Sequence, residues 1–130
     1  MRYESANGPV FKDDVCRDAY RNIVLFNAGG GLVVKLQQPA MDSFRHVCEI
    51  MGHPVPLTGS WRSCASQTEL HNDDPQRFAD PDGSLHPAGL AIDVSTAYPR
   101  FARASTLLRQ HGWHVARSDE PWHHSYRLDA

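Results

Sequence analysis

Apolar positions recur along this chain at two spacings, every three to four residues and every second residue, and their alternation predicts helices and strands in mixed order. Asp13 and Asp14 precede Val15, Ala19, Ile23 and Phe26 at helical spacing, with Gly29-Gly30-Gly31 read as the helix stop and Leu32 to Leu36 as a short strand. Pro39 opens a second helix with the apolar stripe Ala40, Phe44, Val47, Cys48 and Met51, ended by Gly52 and Pro54. Val55 to Thr58 reads as a strand. Ser63 reads as the N-cap of a helix running to about His71, which sets Arg62 at its mouth and Gln67 one turn in. Asn72 to Gly83, rich in Asp, Pro and Gly, is expected to be a loop with one short helical turn, bordering a groove. Leu90 to Val94 reads as a strand. Phe101, Ala104, Leu107 and Leu108 mark a third main helix ending near Gly112, and Trp113 to Val115 is expected to pair with Trp122 to Tyr126 as a final hairpin. No internal repeat or linker interrupts the order. The expected fold class is α+β: a small, mainly antiparallel sheet with helices packed on one side and the other face open.

The strand from Leu90 to Val94 has one face kept small. Alternation puts Leu90, Ile92 and Val94 on a core face, and Ala91 and Asp93 on the other. Asp93 then has Ala91 and Gly89 as neighbours, leaving space for a cation and for His86 from the preceding turn. A lone aspartate ending a strand ordinarily caps the next turn, and a lone loop histidine is ordinarily hydrogen-bonded; the pairing of the two points to a metal. The segment from Asp119 to Tyr126, D-E-P-W-H-H-S-Y, offers the rest of a site. Zinc in catalytic sites takes three nitrogen or oxygen ligands and leaves a fourth position for water, so His86, Asp93 and one of His123 or His124 would complete it. Neighbours in a strand face opposite ways, so only one of the two histidines can be the ligand. Pro121 favours a bend after Glu120 that brings its carboxylate near the metal for proton work.

Ser84-x-His86-x-x-Gly89-x-Ala91-x-Asp93 and Glu120-Pro121-Trp122-His123 resemble the two signatures of VanY-like zinc D-alanyl-D-alanine carboxypeptidases. Related phage peptidoglycan endopeptidases and the hedgehog-type fold share that pattern. Gly59-Ser60-Trp61-Arg62-Ser63 with Gln67 resembles a third family segment. The resemblance covers residues 40–127. It implies one Zn2+ held by His86, Asp93 and His123, with Glu120 as general base and Arg62 stabilising the oxyanion. It also sets Ser84 and Gln67 toward the substrate. Trp61 and Trp122 adjoin these motifs and are expected to wall the site, although core packing is the ordinary role of a tryptophan, and Trp113 is expected to take it. The resemblance further implies hydrolysis of peptide bonds next to D-amino acids in peptidoglycan, by a D,D-carboxypeptidase or an endopeptidase, with the stem peptide as partner.

Composition narrows the alternatives. With 130 residues, 41% hydrophobic and a formal net charge of −2, the chain suffices for one domain over residues 1–130 and has no basic excess for nucleic acid. Residues 1–39 are expected to be a helix-and-strand extension of the 40–127 core, and the protein a monomer. No apolar run approaches about 18 residues, so no membrane span is expected. No secretory signal is visible either, so action at the bacterial cell wall implies a phage endolysin, a virion-associated enzyme or a domain of a larger exported protein. Cys16, Cys48 and Cys64 lack the close pairing of a Cys-rich zinc site and are read as free thiols, with one disulfide as the alternative. His46, His53, His71, His111 and His114 lack such spacing to a carboxylate and read as surface or helix-end residues, His124 as exposed or bonded to a ligand. Two further functions fit the same residues: a zinc-containing cell-wall recognition module without catalysis, and a phage structural component.

Overall fold

The computed structural model describes residues 2–5, 8–11, 23–61, 69, 72–74, 86 and 88–128. An N-terminal hairpin joins β1 (Arg2–Ser5) to β2 (Gly8–Phe11). A second joins β3 (Ile23–Gly29) to β4 (Leu32–Gln37). The helix expected over Val15 to Phe26 is therefore corrected from Ile23 onward, its earlier part lying outside the described residues. Ile23 and Phe26 satisfy helical spacing, but within β3 exposure alternates with period two: Leu25 is 67% exposed while Val24 and Phe26 pack on the core. A short run rich in β-branched and aromatic side chains suits a pleated, half-buried strand better than a helix. The three glycines are a hairpin turn. Gly29 pairs with Leu32, and the loop residues Gly30 and Gly31 have φ of 60° and 83°, the left-handed conformation that a tight two-residue hairpin requires.

Helix α1 (Gln38–Met51) follows directly, with Pro39 in its first turn. Ala40, Met41, Phe44, Val47, Cys48 and Met51 form its buried face, and Gly52, at φ 84°, caps it by donating to the Cys48 and Glu49 carbonyls at 2.9 and 3.1 Å. The next strand is β5 (Leu57–Gly59), slightly later than expected. Pro56 has no N–H to give a ladder, and Val55 is instead fully buried, its N–H on the Cys48 sulfur at 3.3 Å. Cys48 is a buried free thiol, whereas Cys16 and Cys64 lie outside the described residues. So do Ser63, residues 75–83 of the loop expected over 72–83 and most of the helix expected up to about His71; Glu69 is helical as expected, whereas Asn72 and Asp73, expected in the loop, are helical too.

The main sheet is antiparallel throughout, in the order β5, β6 (Ala91–Val94), β8 (His123–Tyr126), β7 (Trp113–His114). Helix α2 (Phe101–Gln110) contributes buried Ala104, Ser105, Leu107 and Leu108, and packs against α1 and β7. Leu90, Ile92 and Val94 lie in the core as expected, each fully buried or within 1% of it. Burial of one such side chain stabilises by about 1.5–3 kcal/mol. Trp113 is core too, and its indole N–H reaches Ser43 Oγ at 3.0 Å, while that hydroxyl donates to the His111 carbonyl at 2.6 Å. Those bonds join α1 to the end of α2, which fixes the helical layer behind β6 and β8. The class is α+β, with two small antiparallel sheets, those of β3–β4 and β5–β8, beside the β1–β2 hairpin. Among the described residues, no helix is long and apolar enough to cross a membrane.

Candidate metal centre

The pairing of β6 with β8 sets Asp93 opposite His123. Their side chains share the face away from Ile92 and His124, with Asp93 Oδ1 2.9 Å from His123 Nδ1. One pair further along the same face, Ala91 is opposite Ser125, both buried and small, so nothing bulky fills the floor beside the carboxylate. His86 arrives from the turn before β6. Its Nε2 lies 3.3 Å from Asp93 Oδ2, and its ring centroid is 5.1 Å from that of His123. One donor atom each from His86, Asp93 and His123 falls within 4.8 Å of the other two.

The orientation of His86 is imposed by backbone. Its Nδ1–H donates to the Ser60 carbonyl at 2.6 Å, which turns Nε2 toward Asp93. Ser60 is itself held by β4: Lys35 N–H donates to Ser60 Oγ at 3.0 Å, and Trp61 N–H to the Lys35 carbonyl at 2.9 Å. The turn carrying His86 is fastened to the same strand. Gly89 N–H closes it on the His86 carbonyl at 3.0 Å, Gln37 N–H donates to the Gly89 carbonyl at 2.9 Å, and Gln37 Nε2 to the Ala88 carbonyl at 2.6 Å. Gly89 has φ 71°, and a Cβ there would collide with Ile23 Cδ1 and stand 3.0 Å from Gln37 N, so the close approach of the two segments requires glycine.

Electrostatics favour an ionised Asp93. Burial alone would raise its pKa, but hydrogen bonds from His123 and His86 outweigh burial and hold the carboxyl well below the usual carboxylate range. A carboxylate, its one negative charge shared by two oxygens, facing two imidazole nitrogens is a donor set of the kind zinc takes in catalytic sites, three protein ligands with room for another. The residues present therefore fit the ion, with His86 Nε2, an Asp93 oxygen and His123 Nδ1 as the atoms that would hold it.

Glu120 lies one turn before His123. Its carbonyl accepts the His123 N–H at 3.1 Å with Pro121 in the second position of the turn, which is the bend expected from Pro121. Its side chain is 20% exposed, with Oε2 3.8 Å from Arg117 Nε. Arg117 is committed chiefly to Asp119, at 3.1 and 2.7 Å through two nitrogens. Trp61 and Trp122 are both half-buried, flanking Ser60 and His123 in sequence, and Lys35 Nζ lies 5.8 Å from the Trp61 ring centroid. Arg62, Gln67 and Ser84 lie outside the described residues, as does His71.

His124 turns away from the site, as strand alternation demands, but it is neither exposed nor bonded to a ligand. It is fully buried under α2, which corrects the expectation. Burial pushes its imidazole below the ordinary histidine range, and the Trp122 carbonyl it donates to only partly offsets this. Of the other histidines, His46 is exposed and His111 ends α2, as expected, and His53 is hydrogen-bonded to the Tyr98 hydroxyl; His114, expected at the surface or a helix end, is instead a half-buried residue of β7. Gln37, Ser60 and Ser105 escaped sequence reading as parts of the site's support.

With two buried β-strands presenting a His/Asp/His cluster beside a small helical layer, the architecture is that of VanY-like peptidases. No protein-family model and no curated protein matches the sequence. The likeness is to solved structures. The LdcB LD-carboxypeptidase superposes with a TM-score of 0.63 at 16% identity, over 83% of this chain and 69% of that one. A variant of the vancomycin-resistance D,D-pentapeptidase VanY, in complex with Zn(II), gives a TM-score of 0.61 at 14% identity over 95% of this chain and 85% of that one. VanYB in complex with D-alanine-D-alanine gives 0.62 at 16% identity over 96% and 84%.

Proposed function

We propose that this protein is a zinc peptidase that hydrolyses a peptide bond next to a D-amino acid in peptidoglycan stem peptides. The observation that carries the reading is the convergence of His86, Asp93 and His123 within 4.8 Å on a fold shared with peptidoglycan carboxypeptidases. Zinc bound there would polarise the scissile carbonyl and bring the pKa of water toward neutrality. His86 and His123 would serve as neutral imidazole ligands and Asp93 as the anionic one. Glu120, entering from the turn before His123, takes the proton of the attacking water and passes it to the leaving amine. Arg62 opposes the negative charge that develops on the carbonyl oxygen, a contribution worth about 3–4 kcal/mol where a single such donor has been removed from an enzyme. Trp61, Trp122, Ser84 and Gln67 face the substrate. Since the substrate is part of the wall, we place the site of action there, whether the chain works as a phage lysin, a virion-associated enzyme or a domain of a larger exported protein.

The neighbour named as an LD-carboxypeptidase, with the D-alanine-D-alanine complex of VanYB, favours trimming of a terminal residue over cleavage of an internal link. Digestion of purified peptidoglycan, with and without a chelator, followed by mass analysis of released products tests both levels. Chelator-sensitive release of free D-alanine is expected; larger peptide fragments would reassign the enzyme as an endopeptidase, and no release from a zinc-loaded protein would sink the hydrolase reading.

A further inference from the structure

We infer that the buried pair Ser105 and His124 is a positioning relay that sets the alignment of His123 with Asp93, so that a residue pair on the core side of the sheet governs metal binding on the other. The inference rests on the zinc reading above, and it concerns residues that neither the motifs nor the chemistry of hydrolysis uses.

Both groups are polar and almost wholly enclosed, His124 at 0% and Ser105 at 7% exposure. Their hydrogen bonds have only one consistent direction. His124 Nδ1 lies 2.8 Å from the Trp122 carbonyl, which can only accept, so Nδ1 carries the proton. Nε2 is then an acceptor, and Ser105 Oγ, 2.8 Å away, donates to it. The Trp122 carbonyl also accepts Val94 N–H at 3.0 Å, which uses both its lone pairs. Two donors thus converge on one oxygen. That oxygen belongs to the peptide joining Trp122 to His123, and the Val94 N–H belongs to the peptide leaving Asp93. A slip of either peptide would change the 2.9 Å separation of Asp93 Oδ1 and His123 Nδ1. Phe101, its ring centroid 6.5 Å from that of His124, closes the other side of the imidazole, and with Ser105 it anchors the relay to α2. An apolar side chain at position 124 would fill the same core space without the link to the Trp122 carbonyl, so packing alone does not call for a histidine there.

The test measures Zn2+ and Co2+ binding by the full chain, with the Co2+ absorption spectrum as a report of ligand geometry and thermal melting of the metal-free protein as a separate report of the fold. Ser105→Ala and His124→Phe should each weaken Zn2+ binding by about tenfold or more, the range seen when partners of metal ligands are removed, and should alter the Co2+ spectrum. His124→Asn keeps an N–H near the position of Nδ1 and should retain more affinity than His124→Gln, which reaches only toward Ser105. If the variants melt at lower temperature but bind Co2+ with the wild-type affinity and spectrum, the pair is core packing and the relay is overturned while the metal site stands. If the wild-type protein binds neither ion, or His86→Ala binds as well as wild type, the metal reading falls and the relay falls with it. Ser105→Ala removes a single oxygen, so it supplies a folded variant should the substitutions at 124 fail to fold.

Discussion

Asp93 and His123 are direct partners across the two central strands, and this register places a carboxylate oxygen 2.9 Å from an imidazole nitrogen on a face otherwise lined by Ala91 and Ser125. A one-residue slip of β8 would send His123 into the core and bring His124 out in its place. The His/Asp/His cluster is thus a property of strand register before it is one of residue identity. Asp93→Ala should abolish stoichiometric zinc retention after gel filtration while leaving the far-ultraviolet spectrum unchanged. Retention of zinc by that variant would show that the ion, if bound, sits elsewhere.

Zinc removal should lower stability. An ion that binds only the folded chain stabilises it by about 2.7 kcal/mol when free metal stands at 100 times its dissociation constant. Melting temperature should therefore rise with zinc concentration and return to the metal-free value on chelation. The dependence should vanish in Asp93→Ala, and persistence there would place the stabilising ion outside this cluster.

Glu120→Gln separates binding from catalysis. In the proposed role Glu120 acts on a proton and does not hold the ion, so the variant should keep zinc while turnover of peptidoglycan falls by about 100-fold or more. Parallel loss of zinc would mean that Glu120 is a ligand or a structural support.

Gly89→Ala should destabilise the protein by more than about 1 kcal/mol, since the residue is held at φ 71° and the new methyl group meets the Gln37 backbone at 3.0 Å as well as Ile23. The same change should weaken zinc binding, because it prises the His86 turn from β4. Urea melts and metal titration check the two effects independently, and a neutral result in both would contradict the tight seating of that turn.

Cys48 gives an alkaline signature. Burial raises its thiol pKa, with the Val55 N–H acting the other way. The folded value then exceeds the unfolded one, so as pH rises the unfolded chain loses this proton first. This contribution is intact below about pH 8.5 and declines above it by up to about 1.4 kcal/mol per pH unit, until the folded thiol also ionises. Cys48→Ala should be less stable than wild type at neutral pH, and the gap should narrow on going to about pH 10. A gap independent of pH, read from urea midpoints, would remove burial of the thiol as the cause.

Much of this was legible in the chain itself. The stripes from Ala40 to Met51 and from Ala104 to Leu108, the small face of Ala91 and Asp93, and the hairpin of Trp113 with Tyr126 are local patterns, and local patterns survive translation into structure. Ile23 and Phe26 misled because a spacing of three fits one face of a helix, whereas in a strand it sets the two residues on opposite faces and the matched pair is Val24 with Phe26. His123 and His124 were distinguishable only in the alternative, one in and one out, until the register with Ile92 and Asp93 assigned the faces. Ser60, Gln37 and Ser105 act through partners 26, 51 and 19 residues away, so nothing beside them in sequence announces the role. Sequence similarity that begins near residue 40 could not point to Lys35 or Gln37 at all.

That last gap has a practical side. The turn bearing His86 is bolted to β4 by the Gln37 amide group and main chain, so the strand preceding the motif-bearing stretch is part of what supports the His/Asp/His cluster. A shortened version starting at the first recognisable motif would carry His86, Asp93 and His123 yet lack the jig that holds the His86 turn in place, and any graft of this cluster onto another scaffold must bring that strand along.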